Sequence, residues 1–317
     1  MRAVVMERFG GPEVLAVREL PDPVPEPGQV LVAVECAGIT FVETQVRAGR
    51  GPAGKRSEPG PRVLGNGVGG EVVAVGSSAD RELLGTTVVT TTGGTGGYAE
   101  LAVARACDAI PVPEGVPLQD AVALLADGRT AVLLHRRAQV GPGEWVLVEA
   151  AGGGVGSLLV QLAAGSGAKV IGAARGSAKR ELVTSLGAVA YVDYARAGWE
   201  RTVVEITEGA GVDVLFDGVG GRIGTCGLSA VRAGGRVSIY GMASGEWTRP
   251  NGQVTVIADD GAPSPSEIRA LAEEALAQAA AGRLRPVIGQ TYRLAEAAEA
   301  HRAIEARATT GKTVLVP

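Results

Sequence analysis

Ala150, Gly153 and Gly156 stand in an A-x-x-G-x-x-G spacing inside the run Val146-Leu147-Val148-Glu149-Ala150-Ala151-Gly152-Gly153-Gly154-Val155-Gly156-Ser157. The run passes from an apolar, β-branched stretch through small residues into a helical pattern. Missing side chains there let a backbone approach a pyrophosphate, and the N–H groups of Gly154 and Val155 at the helix start supply donors and positive partial charge. The chain carries 48 glycines, so a tight strand-to-helix turn without a ligand is the alternative, and the neighbouring pattern decides between them. Lys169 to Ala174 forms a second strand pattern, giving strand, turn, helix, strand, the order of a parallel crossover. An acid roughly 20 residues beyond the glycines would bind ribose hydroxyls. Here Ala174-Arg175-Gly176-Ser177-Ala178-Lys179-Arg180 supplies cations and a hydroxyl instead. Cations at a helix start oppose its dipole, and a 2′-phosphate held by Arg175, Ser177 and Lys179 would reverse that cost. This predicts NADPH as cofactor, with a solvated helix start as the alternative.

Elements that could hold these residues follow from periodicity. At 317 residues, two domains are expected. The first stretch, rich in Val, Gly and Pro, alternates in short runs such as Gln29 to Glu35 and Val72 to Val75, the pattern of a small β-barrel or partly open sheet. A boundary falls near Pro117. One long helix is predicted from Leu118 to Val140, leading into the strand at Trp145 to Ala150 and a helix containing Ser157 to Ala164. Further strands follow at Ala190 to Asp193, Asp213 to Asp217 and Arg236 to Tyr240, with helical patterns between, the signature of a doubly wound α/β sheet. An Ala-rich helix from Ser266 to Ala281, a helix from Ala295 to Ala308 and a strand from Lys312 to Val316 complete the chain.

Net charge is −4 and no long basic run occurs, which argues against nucleic acid as a partner. No apolar run reaches the roughly 20 residues of a membrane span, and Met1 to Glu7 lacks a signal-peptide pattern, so a cytoplasmic protein is expected.

Taken in order, Gly10-Gly11-Pro12-Glu13-Val14-Leu15, Gly97-Tyr98-Ala99-Glu100, Thr130-Ala131, Ala151 to Ser157, Leu186-Gly187-Ala188, Phe216-Asp217-Gly218-Val219-Gly220-Gly221 and Gly311-Lys312 resemble the quinone oxidoreductase (zeta-crystallin-like) branch of the medium-chain dehydrogenase/reductase superfamily. The resemblance spans nearly the whole chain. It implies a GroES-like, β-rich catalytic domain from residues 1–120 and 285–317, a Rossmann domain over residues 121–284, a cleft between them and a homodimer. By the same resemblance, Thr130 lies beside the nicotinamide, Tyr194 flanks the adenosine phosphate end, and backbone at Gly241 meets the nicotinamide. Thr40 stands where related reductases place an Asn, to bond nicotinamide or acceptor, or serves a strand-end turn.

No metal is expected. In zinc alcohol dehydrogenases a Cys follows Gly-Ile, whereas Gly38-Ile39 precedes Thr40, and Gly65-Asn66-Gly67 replaces Gly-His-Glu. Cys36, Cys107 and Cys226 are far apart and are expected to be small buried residues without a disulfide. His135 and His301 are expected to be packing or surface residues on helices.

Without zinc, a bare NADPH site suits an acceptor that is already electrophilic, a quinone or an α,β-unsaturated carbonyl. Two departures from the family bear on the acceptor. Gly51 replaces a common Tyr, and Asp127 and Arg129 bring charge to a segment that is largely apolar in relatives, so either residue could face a polar acceptor. A pathway-specific enoyl or natural-product reductase, and an NADPH-binding protein with little turnover, are the competing readings. The β-prone Gln253 to Ala258 could pair with its twin across a dimer.

Overall fold

The computed structural model describes residues 1–50, 60–250, 252–257, 261 and 263–317. Gly51, Pro52 and Ala258 lie outside them. The chain divides into two compact units, residues 1–126 with 275–280 and 286–317, and residues 127–274 with 281–285.

The first unit begins with β1 (Arg2–Met6), β2 (Leu15–Glu19) and the long β3 (Gln29–Ile39), followed by α1 (Phe41–Arg47). Then come β4 (Arg62–Val63), β5 (Gly67–Val75), β6 (Thr87–Thr91), β7 (Leu101–Arg105) and β8 (Ile110–Pro111). Strands β2, β1 and β4 form a small antiparallel sheet. β3 serves two partners on one edge, because its first half pairs with β7 and its last residues pair with the chain's final strand. Bulges in the β3–β5 ladder bend the sheet, as strands that curl toward a barrel require. Val30, Val32, Val72 and Val88 are buried inside it.

Residues 118–138 are helical throughout, nearly to the Val140 expected, with one widened turn inside. They form α2 (Leu118–Ala123), a π-helical turn over Leu124–Gly128, and α3 (Arg129–Ala138). The wide turn accommodates an extra residue and ends on Gly128, so the direction of Asp127 is set by a break that apolar spacing does not reveal.

The second unit carries β9 (Trp145–Glu149), α4 (Gly154–Gly165), β10 (Lys169–Ala174), α5 (Arg180–Ser185), β11 (Ala190–Asp193), α6 (Trp199–Ile206), β12 (Val212–Asp217), α7 (Gly221–Ser229), β13 (Val231–Ile239) and β14 (Thr255–Val256). All six strands are parallel, in the order β11-β10-β9-β12-β13-β14. The order reverses between β9 and β12, so the crevice of a doubly wound sheet opens above the ends of those two strands. Val146, Leu147 and Val148 are fully buried because helices cover both faces. β14 is a two-residue edge strand, exposed at both positions.

The chain ends with α8 (Pro265–Ala280), β15 (Ile288–Arg293), α9 (Ala297–Glu305) and β16 (Lys312–Val316). β16 inserts between β15 and β3 in the first unit's seven-stranded sheet. The first unit is thus β-rich and the second a doubly wound parallel sheet of the α/β class, the architectures expected from the sequence and the family resemblance.

Candidate functional site

Strand β9 hands the chain to α4 through Ala150, whose φ of 51° is left-handed for a residue with a side chain. The Gly153 N–H donates to the Ala150 carbonyl at 2.8 Å, and the Ala151 N–H ties the turn to Ala173 of β10 at 3.0 Å. A side chain at Gly156 would overlap the Ala150 carbonyl oxygen, so this position admits only glycine without a shift of backbone. The first intrahelical bond runs from Ser157 N–H to Gly153 at 3.0 Å. The N–H groups of Gly154, Val155 and Gly156 therefore stand ahead of it, and the Gly153 cap supplies no side chain. This geometry fits a pyrophosphate.

Arg175 and Ser177, just beyond β10, are exposed, whereas Lys179 is half-buried and lies across Gly152. Burial holds the Lys179 ammonium below the ordinary lysine range, and the Arg175 charge lowers it further. Arg180 is used differently, its guanidinium stacking 5.0 Å over the Tyr191 ring. Asp193 spends one carboxylate oxygen on the Gly176 and Ala195 N–H groups, at 2.7 and 3.0 Å. Tyr194 packs edge-on against Trp199, with ring centroids 6.4 Å apart. Its backbone N–H donates to Ala174 at 3.2 Å.

Asp127 lies against the first residue of α4, since a side chain at Gly154 would overlap its carboxylate. Arg129 and Thr130, in the first turn of α3, are half-buried. Burial lowers the Arg129 proton affinity, and the Asp127 charge opposes that effect. Gly241 lies two residues beyond β13 and approaches Gly218 so closely that a side chain would meet the Gly218 carbonyl oxygen at 2.5 Å. Asp127, Arg129, Thr130, Gly241 and the glycine turn thus all belong to the Rossmann unit.

Thr40 belongs to the GroES-like unit, where it caps α1 in a capping box with Glu43. Glu43 is buried and accepts the N–H groups of Thr40 and Asn66, the latter at 3.0 Å. Burial raises the Glu43 carboxyl, and the backbone donor of Thr40 and the Lys312 charge counter it. Asn66 gives its side-chain oxygen to the Gly94 N–H at 2.7 Å. The place of a zinc-ligating histidine in relatives is therefore a loop brace here. Nearby, the Tyr98 hydroxyl bonds His301 Nε2 at 3.1 Å, and burial pushes this histidine down to about 3. His301 is thus a neutral packing residue, and His135 bonds the Ser166 hydroxyl at 3.0 Å.

Among the described residues, no group of three or more His, Cys, Asp or Glu is arranged to hold a metal. The three cysteines are free, but only Cys36 is buried. Burial raises its thiol to about 12. Cys107 is exposed, which corrects the expectation for that residue: it sits in a one-turn helix outside both sheets.

Sequence reasoning assigned no role to Glu149 or Asp217. Both are fully buried, at the ends of the two strands where the sheet order reverses. A charged residue closing an otherwise apolar run was the available signal.

Residues 26–114 match the family described as alcohol dehydrogenase GroES-like domain, and residues 154–259 match the zinc-binding dehydrogenase family. A quinone oxidoreductase of Pseudomonas aeruginosa is 35% identical, the match covering 98% of this chain and 97% of the relative. A 2-haloacrylate reductase of Burkholderia sp. is 32% identical, with 99% and 98% covered. The crystal structure of Escherichia coli quinone oxidoreductase complexed with NADPH superposes with a TM-score of 0.89 at 28% identity, covering 100% of both chains. Two domain families in the right order, a glycine turn of the right geometry and full-length similarity together place this chain in the quinone oxidoreductase branch of the medium-chain dehydrogenase/reductase superfamily.

Proposed function

We propose that this protein is an NADPH-dependent, zinc-independent oxidoreductase that delivers hydride to a quinone or an α,β-unsaturated carbonyl. The observation that carries the cofactor is the Arg175 and Lys179 pair beside Gly152, in a place where an NAD enzyme would offer an acid. NADPH, when bound, supplies the hydride. The open N–H groups of Gly154, Val155 and Gly156 hold the pyrophosphate, Arg175, Ser177 and Lys179 hold the 2′-phosphate, and Tyr194 borders the adenosine end. Thr130 and the backbone at Gly241 orient the nicotinamide end. Among the described residues Asn66 and Glu43 brace a loop, which supports an acceptor that is electrophilic without a Lewis acid. Thr40, already used as a helix cap, offers the acceptor backbone and methyl contacts more than a free hydroxyl.

A second reading is favoured by Arg129. A desolvated guanidinium in the first turn of α3 suits a conjugated acceptor that carries a carboxylate, and the 2-haloacrylate reductase relative is named for such a compound. We further propose that the chain works in the cytoplasm as a homodimer. Among the described residues, no helix is long and apolar enough to cross a membrane.

The decisive experiment is fluorescence titration with NADPH and NADH, followed by loss of reduced-nicotinamide absorbance with neutral quinones, neutral enones and conjugated carboxylates. NADPH binding with turnover of one acceptor class supports the proposal and identifies the class. Binding without turnover of any class would favour a dinucleotide-binding protein with little activity. Equal affinity for NADH would overturn the role of the cation pair.

A further inference from the structure

Glu149 ends β9 and Asp217 ends β12, the neighbouring strands between which the sheet order reverses. Both carboxyls are 0% exposed. Asp217 is the hub of this edge. Its Oδ1 accepts the Val219 and Gly220 N–H groups at 2.9 and 2.8 Å, and its Oδ2 accepts the Thr248 hydroxyl. Its backbone carbonyl accepts the N–H groups of Tyr240 and Gly241, at 2.9 and 3.3 Å. Neither oxygen of Glu149 receives a donor among the described residues, and because Phe216 pairs with Val148 in the parallel β12–β9 ladder, the two acids follow side by side on adjacent strands. Gly227 of α7 makes room for it, since a side chain there would overlap Glu149 Oε1.

Two carboxylates have no hydrogen to share, so a bond between them exists only if one is protonated. The donor count names which one. Asp217, with three donors on its side chain, is the anion, and Glu149, with none, is the acid that donates. We infer that Glu149 and Asp217 share one proton across the strand reversal, and that this acid pair positions the loops on both sides of the cofactor crevice. One loop is the glycine turn, which begins at the residue after Glu149. The other comprises the Val219, Gly220 and Gly241 backbone held by Asp217. This role rests on the NADPH reading proposed above.

The surroundings agree. The groups facing Glu149 are Asp217 from β12 and Cys226 from α7, and together with burial they push its carboxyl well above the usual range. Tyr240, after β13, feels both acids and is pushed up as well. None of these groups is a cation. Loss of the shared proton would leave two buried negative charges beneath a crevice that takes a polyanion, so cofactor binding requires the protonated pair.

The test compares wild type with Glu149→Gln, which keeps the shape and a neutral donor, and Glu149→Val, which removes the donor. Infrared spectroscopy of the wild type at neutral pH should show the carbonyl band of a buried protonated acid, absent from Glu149→Gln. NADPH affinity of the wild type should fall by up to about tenfold per pH unit once the pair ionises. Lys179 titrates in all three proteins, so the informative quantity is the difference in slope, which Glu149→Gln should lack. Glu149→Val should bind more weakly than wild type below the pH at which the pair ionises and should lack the added slope above it, and circular dichroism reports whether each variant is folded. Identical infrared spectra for wild type and Glu149→Gln, or identical pH profiles, would overturn the inference. A band lost in Glu149→Gln from a chain that binds neither dinucleotide would support the pair and overturn its positioning role together with the cofactor reading.

Discussion

In the function proposed above, Lys179 and Arg175 would carry the choice between the two nicotinamide dinucleotides. Burial, and then the Arg175 charge, lower the proton affinity of the half-buried Lys179 ammonium. Replacing Lys179 by Met should weaken NADPH about tenfold to a hundredfold, the range for losing a charge-assisted hydrogen bond, and leave NADH unchanged. Parallel titrations with the two dinucleotides check this. Arg129 makes the corresponding prediction for the acceptor. In Arg129→Ala, kcat/KM for a conjugated carboxylate should drop by about tenfold or more while a neutral quinone is unaffected. Equal losses for both acceptors would remove the recognition role. The cations after β10 were legible because the absence of an acid is visible in one segment. The position of Asp127 against Gly154 was not, because it depends on the π-helical turn between α2 and α3.

At the scale of elements, legibility tracked how locally each strand or helix is specified. Lys169–Ala174, Ala190–Asp193 and Lys312–Val316 are strands with the bounds their apolar runs suggest. β13 begins earlier than its apolar core, at Val231, because an irregular register against β12 recruits Arg232 to Gly235. The Glu149–Asp217 contact joins strands far apart in sequence, so no single window contains it. It has an element-level consequence for stability. Burial and then the Asp217 charge raise the Glu149 carboxyl in the folded sheet, whereas the unfolded chain releases that proton near the ordinary glutamate value of 4.5. Above that pH the unfolded chain binds fewer protons than the folded one, so stability falls as pH rises toward the folded value. Denaturant titrations across pH should show that slope in wild type and a flatter one in Glu149→Gln, which should be the more stable protein on the alkaline side.

At the scale of the molecule, the exposed edge strand β14 is the feature that bears on assembly. Among the described residues no strand pairs with the far side of β14, and under the homodimer proposal a second copy would continue the sheet there. Light scattering should give twice the chain mass, and a proline at Val256 should shift the protein toward monomer. A monomeric wild type would count against the pairing.

The location of β16 bears on how the protein is made. This strand follows every other strand in the chain, yet it lies between β15 and β3, in the interior of the first unit's sheet. During synthesis the Rossmann sheet has all its strands available before the GroES-like sheet does. Until translation reaches Lys312, the end of β3 waits with its edge unpaired, open to the wrong neighbour. The domain begun first is thus finished last, and a ribosome that stalls late would release a polypeptide with a complete nucleotide-binding fold and an unsealed barrel.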